Sequence, residues 1–265
     1  MKHTYGLFGA AVLVAVAGFV TTTSATPNVN GAVVKERIFN DCLTSILTTT
    51  NNYPASIEID DQALSCVGFA NLHVWRLADG GAEAVFDNDS AFSLEFDLVI
   101  SGTADGEAGV SVAPWWSQDV DGRFNVRSTD GEIACFGGRL PFYSFTGSHG
   151  INYVKGDTIH LSVTYLANGL SMADPATIEY GVTYGGTSYT SGPLPFDEGN
   201  PAEDPPHGLW GMLNNGRVGG YVQEFLQAGN PNAALNTVYS NIVYTNLKPV
   251  SVESQSWGGV KSLYR

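Results

Sequence analysis

The sequence predicts an all-β protein, an antiparallel two-sheet β-sandwich of the jelly-roll kind, and three observations predict it. Apolar and polar residues alternate with period two along many short runs. Turn signals that tolerate positive φ separate the runs, among them Ala104-Asp105-Gly106, Asp130-Gly131, Asn168-Gly169 and Gly185-Gly186. No amphipathic helix of ordinary length interrupts them, and charged residues make up only 14% of the chain, a mix that suits turn-rich sheets. A closed barrel is the rival architecture; two stacked sheets are preferred.

In chain order, residues 1–25 read as a signal peptide. Lys2 and His3 give a positive start, Leu7–Val20 is an apolar run too short for a comfortable membrane span, and Thr21–Ala25 is a small-residue cleavage region. The expected mature chain is therefore exported, to the medium, the cell surface or a bacterial periplasm, and has no membrane span. Residues 26–245 form the predicted β-sandwich domain, beginning with an extended lead-in at Thr26–Arg37. In Phe92–Ile100, Phe92, Leu94, Phe96, Leu98 and Ile100 share one face, and Ser93, Glu95 and Asp97 the other. Thr158–Leu166 and Thr177–Tyr184 repeat the pattern, and similar runs lie at Gly109–Ala113, Arg123–Arg127, Val218–Val222 and Thr237–Tyr244. Pro193–Trp210 is rich in proline and acid and reads as a long surface loop. Residues 246–265 read as a tail outside the sandwich. Trp257, Val260 and Tyr264 stand at helical spacing there, in keeping with a sorting or docking element that meets a protein partner.

The formal charge of −14 makes nucleic acid an unsuitable partner. Three cysteines in an exported chain meet an oxidising compartment. Cys42 and Cys66 bracket a hairpin-like segment and are the preferred disulfide; Cys135, in an apolar run, reads as a buried free thiol, and pairings through Cys135 stay open.

The strand–turn order, the closing run Val238–Tyr244 and the blocks Ala113–Arg127, Gly137–Gly150 and Phe196–Gly211 resemble the concanavalin A-like lectin/glucanase superfamily, and within it uncharacterised secreted bacterial proteins. The resemblance covers roughly Phe69 to Asn246 and implies a jelly roll, but no single activity. Laminarinase-like members carry a Glu, an Asp and a second Glu along one strand face. Glu95 and Asp97 match the first two positions, while Val99 and Ile100 stand where the second Glu belongs. The proton donor a glycosidase needs is therefore missing from the motif.

Two binding expectations accompany it. Trp115 and Trp116 offer aromatic plates for a sugar ring, and Arg123, Asn125 and Arg127 share a strand face. If these three and Glu95, Asp97 and His160 lay on one sheet, they would make a wide polar floor. Asp119 and Asp121, and the run Asp87-Asn88-Asp89-Ser90, supply oxygen ligands of the kind Ca2+ takes, without a full EF-hand loop. No nucleophile elbow or histidine triad motif occurs. The resulting expectation is a secreted, non-catalytic β-sandwich that binds polysaccharide or a cell-surface glycan, or builds surface matrix. A divergent laminarinase-like glycoside hydrolase or lyase is the first alternative, and a protein-interaction or filament subunit the second.

Overall fold

The computed structural model describes residues 26–114, 122–198 and 209–248. The signal peptide, Trp115, Trp116, Asp119, Asp121 and the segment Trp257–Tyr264 lie outside the described residues.

Strands follow one another as β1 Gly31–Asn40, β2 Ile46–Asn52, β3 Ser56–Gln62, β4 Ala70–Asp79, β5 Ala82–Glu83, β6 Phe92–Gly102, β7 Gly106–Pro114 and β8 Gly122–Arg127. The second half continues with β9 Ile133–Phe136, β10 Tyr143–Ser144, β11 Ile159–Leu166, β12 Thr177–Tyr184, β13 Thr187–Thr190, β14 Leu194–Pro195, β15 Gly216–Phe225 and β16 Ala234–Asn246. A single helical turn, Phe145–His149, is capped by the Ser144 side chain. The first sheet runs β1-β4-β15-β7-β8-β9-β10, with β5 on β4; the second runs β13-β12-β11-β6-β16-β3-β2, with β14 on β12. Every named pairing is antiparallel. The jelly-roll sandwich is thus the fold, and the lead-in is built into it as edge strand β1.

Period-two alternation explains why the sheets stack. On β6 the five apolar residues from Phe92 to Ile100 are all fully buried, and the intervening polar side chains are half-exposed. The same alternation on β11 and β12 buries Leu161, Val163, Tyr165, Tyr180 and Val182. Each such side chain contributes roughly 1.5–3 kcal/mol when taken from water. At the centre, Trp75 of the first sheet meets Phe96 and Tyr239 of the second edge-on, at 5.8 and 5.5 Å between ring centroids. Gly220 makes room for it, since a Cβ there would lie 2.2 Å from the indole nitrogen.

Turn chemistry sets the register. Gly185 and Gly186, both at positive φ, close the two-residue hairpin between β12 and β13. In β16 the register slips between Ser240 and Val243, and Asn241 adopts positive φ there. Cys42 and Cys66 form the expected disulfide, joining the approaches to β2 and β4, and Cys135 is a buried free thiol. Burial pushes the Cys135 thiol well above its ordinary pKa.

Candidate functional site

The polar residues singled out in the sequence divide between two opposite faces. Glu95 and Asp97 on β6 and His160 on β11 stand on the outer face of the second sheet; Arg123, Asn125 and Arg127 on β8 stand on the outer face of the first. A single floor made of all six is therefore corrected. The two sets are carried by different sheets, and cross-strand neighbours cannot be known from within one strand.

On the second sheet the carboxylates already have partners. Asp97 bonds His160 Nδ1 at 2.8 Å and accepts from Asn241 Nδ2 at 2.8 Å, while Glu95 lies 3.8 Å from His160 Nε2. Opposite Glu95 stand Ser162 and Val243, and opposite Asp97 stand His160 and Ser240. The directly paired positions thus supply no second acid for glycosidase chemistry. The carboxylates of the Asp87–Ser90 turn are likewise engaged: Asp87 accepts from the Asn215 amide and Asp89 pairs with Lys248.

The outer face of the first sheet is organised differently. Hydrogen-bonded register sets Arg76 of β4, Gly219 of β15, Ser111 of β7 and Arg123 of β8 in one row. The next row is Val74, Tyr221, Gly109 and Asn125, and a third holds Leu72, Gln223, Glu107 and Arg127. Arg217 stands on the same face of β15, two residues before Gly219. Arg76, Arg123, Arg127 and Arg217 are a third of the twelve basic residues in this acidic chain.

These side chains interlock. The Tyr221 hydroxyl donates to Asn125 Oδ1 at 2.8 Å. The Arg123 guanidinium lies over the Tyr221 ring, 4.6 Å from its centroid, and donates to Glu107 at 2.8 Å and Gln223 at 3.2 Å. Arg127 reaches Glu132 at 2.8 Å and Asp130 at 3.0 Å. Partial burial opposes its charge, but Asp130 and Glu132 outweigh that and hold the guanidinium more firmly protonated. Arg217 pairs with Glu83, which also binds Lys35. Tyr221, Asn125 and Ser111 are fully buried although they point away from the sandwich core. Among the described residues, Ser111 Oγ and Asn125 Nδ2 find no hydrogen-bond partner. Buried donors are normally satisfied, so these two make the face a candidate for accepting oxygen atoms.

Sequence reasoning named Arg123, Asn125 and Arg127 but missed Arg76, Ser111, Tyr221 and Arg217. The signal was present in β15, where Arg217, Tyr221 and Gln223 alternate with Val218 and Val222. It was masked by glycines at Gly219 and Gly220 and by the apolar side chains Leu72 and Val74 on the same face of β4.

No family model matches the chain, and no curated protein matches it. Solved structures do. An alginate lyase from Klebsiella pneumoniae is 9% identical over 75% of this chain and 84% of its own, with a TM-score of 0.46. One from Corynebacterium sp. is 11% identical over 83% and 96%, with a TM-score of 0.43. A functionally unknown protein from Saccharomyces cerevisiae is 12% identical over 78% and 97%, with a TM-score of 0.41. The likeness is one of fold. It corrects the order of the functional expectations: the non-catalytic binder gives way to the alternative that included a lyase, since alginate lyases stand among the matching structures.

Proposed function

We propose that the chain is an exported polysaccharide lyase whose substrate carries carboxylates, and that it works on the outer face of the first sheet. The observation that carries this reading is electrostatic. A chain of formal charge −14 gathers Arg76, Arg123, Arg127 and Arg217 on one face, around a tyrosine and two buried donors. Guanidinium groups gathered on one face offer donors to the carboxylates of a polyanion, in competition with the chain's own acidic partners Glu83, Glu107, Asp130 and Glu132. Alginate lyases among the structures of similar fold accord with a polysaccharide partner. The Cys42–Cys66 bridge supports folding outside the reducing cytoplasm.

The chemistry follows from the groups present. In eliminative cleavage, the proton on the carbon next to the carboxylate passes to a base. A C=C bond forms, the glycosidic C–O bond breaks, and the departing oxygen takes up a proton. No water or cofactor is consumed. Guanidinium groups holding the carboxylate stabilise the negative charge that develops beside it. The Tyr221 hydroxyl, fixed by Asn125 beneath Arg123, is positioned to move the proton. Ser111 Oγ and Asn125 Nδ2 supply donors for sugar hydroxyls or the carboxylate.

The test is ultraviolet absorbance from the new double bond after incubating the purified protein with a panel of uronic-acid polysaccharides and, for contrast, neutral β-glucans. Absorbance growing on an acidic polymer, and falling by about 10²–10⁴-fold in Tyr221→Phe, is the expected outcome. Reducing ends released from a neutral glucan without any double bond, and lost in Asp97→Ala, would move the activity to hydrolysis on the opposite sheet.

A further inference from the structure

Away from that face, inside the sandwich, three ionisable side chains meet. Asp61 of β3 belongs to the second sheet, and His73 of β4 and Glu224 of β15 to the first; all three are fully buried. His73 Nε2 lies 3.1 Å from Glu224 Oε2 and 3.4 Å from Asp61 Oδ2, so both carboxyl groups crowd one ring nitrogen. Asn71 Nδ2 and Ser45 Oγ donate to Asp61 Oδ2 at 2.8 and 2.9 Å. Asp61 Oδ1 and Glu224 Oε1 are buried with no hydrogen-bond partner among the described residues.

Two carboxylates and an imidazole within 4.8 Å have the make-up of a divalent-cation site. One contact argues for a different occupant. The backbone N–H of Arg37 donates to His73 Nδ1 at 2.9 Å. Nδ1 is therefore an acceptor, and the proton of the ring sits on Nε2, facing the carboxyl pair. A histidine that binds metal through Nε2 normally carries its proton on Nδ1 and donates it outward, which the Arg37 amide blocks.

Two carboxyl groups crowded within 4.8 Å inside a dry core, beside a neutral imidazole, cannot both hold a full charge without severe repulsion, so a proton between them is the cheaper state. We infer that Asp61, His73 and Glu224 form a proton-loaded clamp between the sheets. One carboxyl proton is shared by Asp61 and Glu224, the His73 Nε2–H donates into the same pair, and loss of the shared proton loosens this end of the sandwich. The clamp stands whether or not the outer face is catalytic.

The charged and titratable surroundings fit the role. Burial pushes the Glu224 carboxyl up to about 8, against the opposing pull of His73. Burial opposes a second ring proton on His73 and its bonds to Asp61 and Glu224 favour one, but the Arg37 amide occupies Nδ1 and keeps the ring neutral. Asp61, which burial alone would raise, is lowered by its bonds from His73, Asn71 and Ser45. From β1, the Arg37 guanidinium holds Ser45 Oγ at 3.0 Å, and so reaches Asp61 only through that hydroxyl. From β16, Tyr239 donates its hydroxyl to the Tyr221 carbonyl, and burial first, then the nearby Glu224, oppose its ionisation.

The sign of the pH effect follows. Glu224 binds its proton more tightly in the folded chain than its ordinary value of 4.5 allows. The stability this confers is complete below about 4.5 and is lost as pH rises through about 8.

Thermal unfolding of the full chain, wild type beside Glu224→Gln, tests the clamp between about pH 6 and about pH 9. The wild-type Tm should fall by at least about 2–4 °C more than that of the variant, whose amide cannot ionise. Equal slopes would overturn the inference. A second measurement needs no variant, and so survives a Glu224→Gln chain that does not fold. In long-range 1H–15N spectra of the wild type near neutral pH, His73 should show a protonated Nε2 and a bare Nδ1. A ring with both nitrogens protonated would overturn the clamp, and so would stoichiometric uptake of added Zn2+ with loss of the Nε2 proton.

Discussion

Tyr221 ties together more of the candidate site than its neighbours do. Its hydroxyl fixes Asn125, its ring carries Arg123, and its carbonyl accepts from Tyr239 across the core. Removing the hydroxyl therefore separates two effects. Tyr221→Phe should cost about 1 kcal/mol of stability from the lost hydrogen bond, far less than the loss of activity it causes. Trp75 sets the opposite standard, a residue of packing alone. Trp75→Ala should cost about 3–5 kcal/mol by urea unfolding, because it empties the contact with Phe96 and Tyr239. A loss under about 1 kcal/mol would mean the two sheets do not meet there. At this scale the sequence was readable only in part. Arg123, Asn125 and Arg127 alternate plainly along β8, whereas Arg76 and Ser111 become site residues only through register with Gly219, a pairing between strands far apart in the chain.

Among the elements, legibility follows periodicity. The strands β6, β11 and β12 alternate without a break, and their buried faces are those the pattern predicts. Strand β1 was less legible, because its position at the sheet edge leaves most of it half-buried on both faces. The turn of helix at Phe145–His149 is too short to give any period. The bulge at Asn241 turns its side chain toward Asp97, and no local pattern announces it. The Cys42–Cys66 bridge ties the two approaches, to β2 and to β4, that flank the buried clamp. Replacing both cysteines by serine should lower stability by roughly 2–4 kcal/mol. Urea unfolding beside the reduced wild type checks it, and both should lose the same amount. A double variant as stable as the oxidised wild type would show that the bridge restrains nothing.

For the whole molecule, the sandwich presents two unlike outer faces. The second sheet shows serine, threonine and carboxylate side chains already bonded to one another, around His160. The first sets Arg123 over Tyr221 among three further arginines, and among the described residues its buried Ser111 Oγ and Asn125 Nδ2 have no partner. The fold class was legible because alternation is written into each strand. The placement of the site was not, because choosing between the faces requires knowing which strands share a sheet. The central claim is that carboxylated glycan binds the first sheet. It is tested most directly by titrating the 15N-labelled chain with a short uronic-acid oligosaccharide and mapping the amide shifts. The largest changes should fall on Arg76, Ser111, Arg123, Asn125 and Tyr221. Changes centred on Glu95, Asp97 and His160, with the first sheet silent, would contradict it.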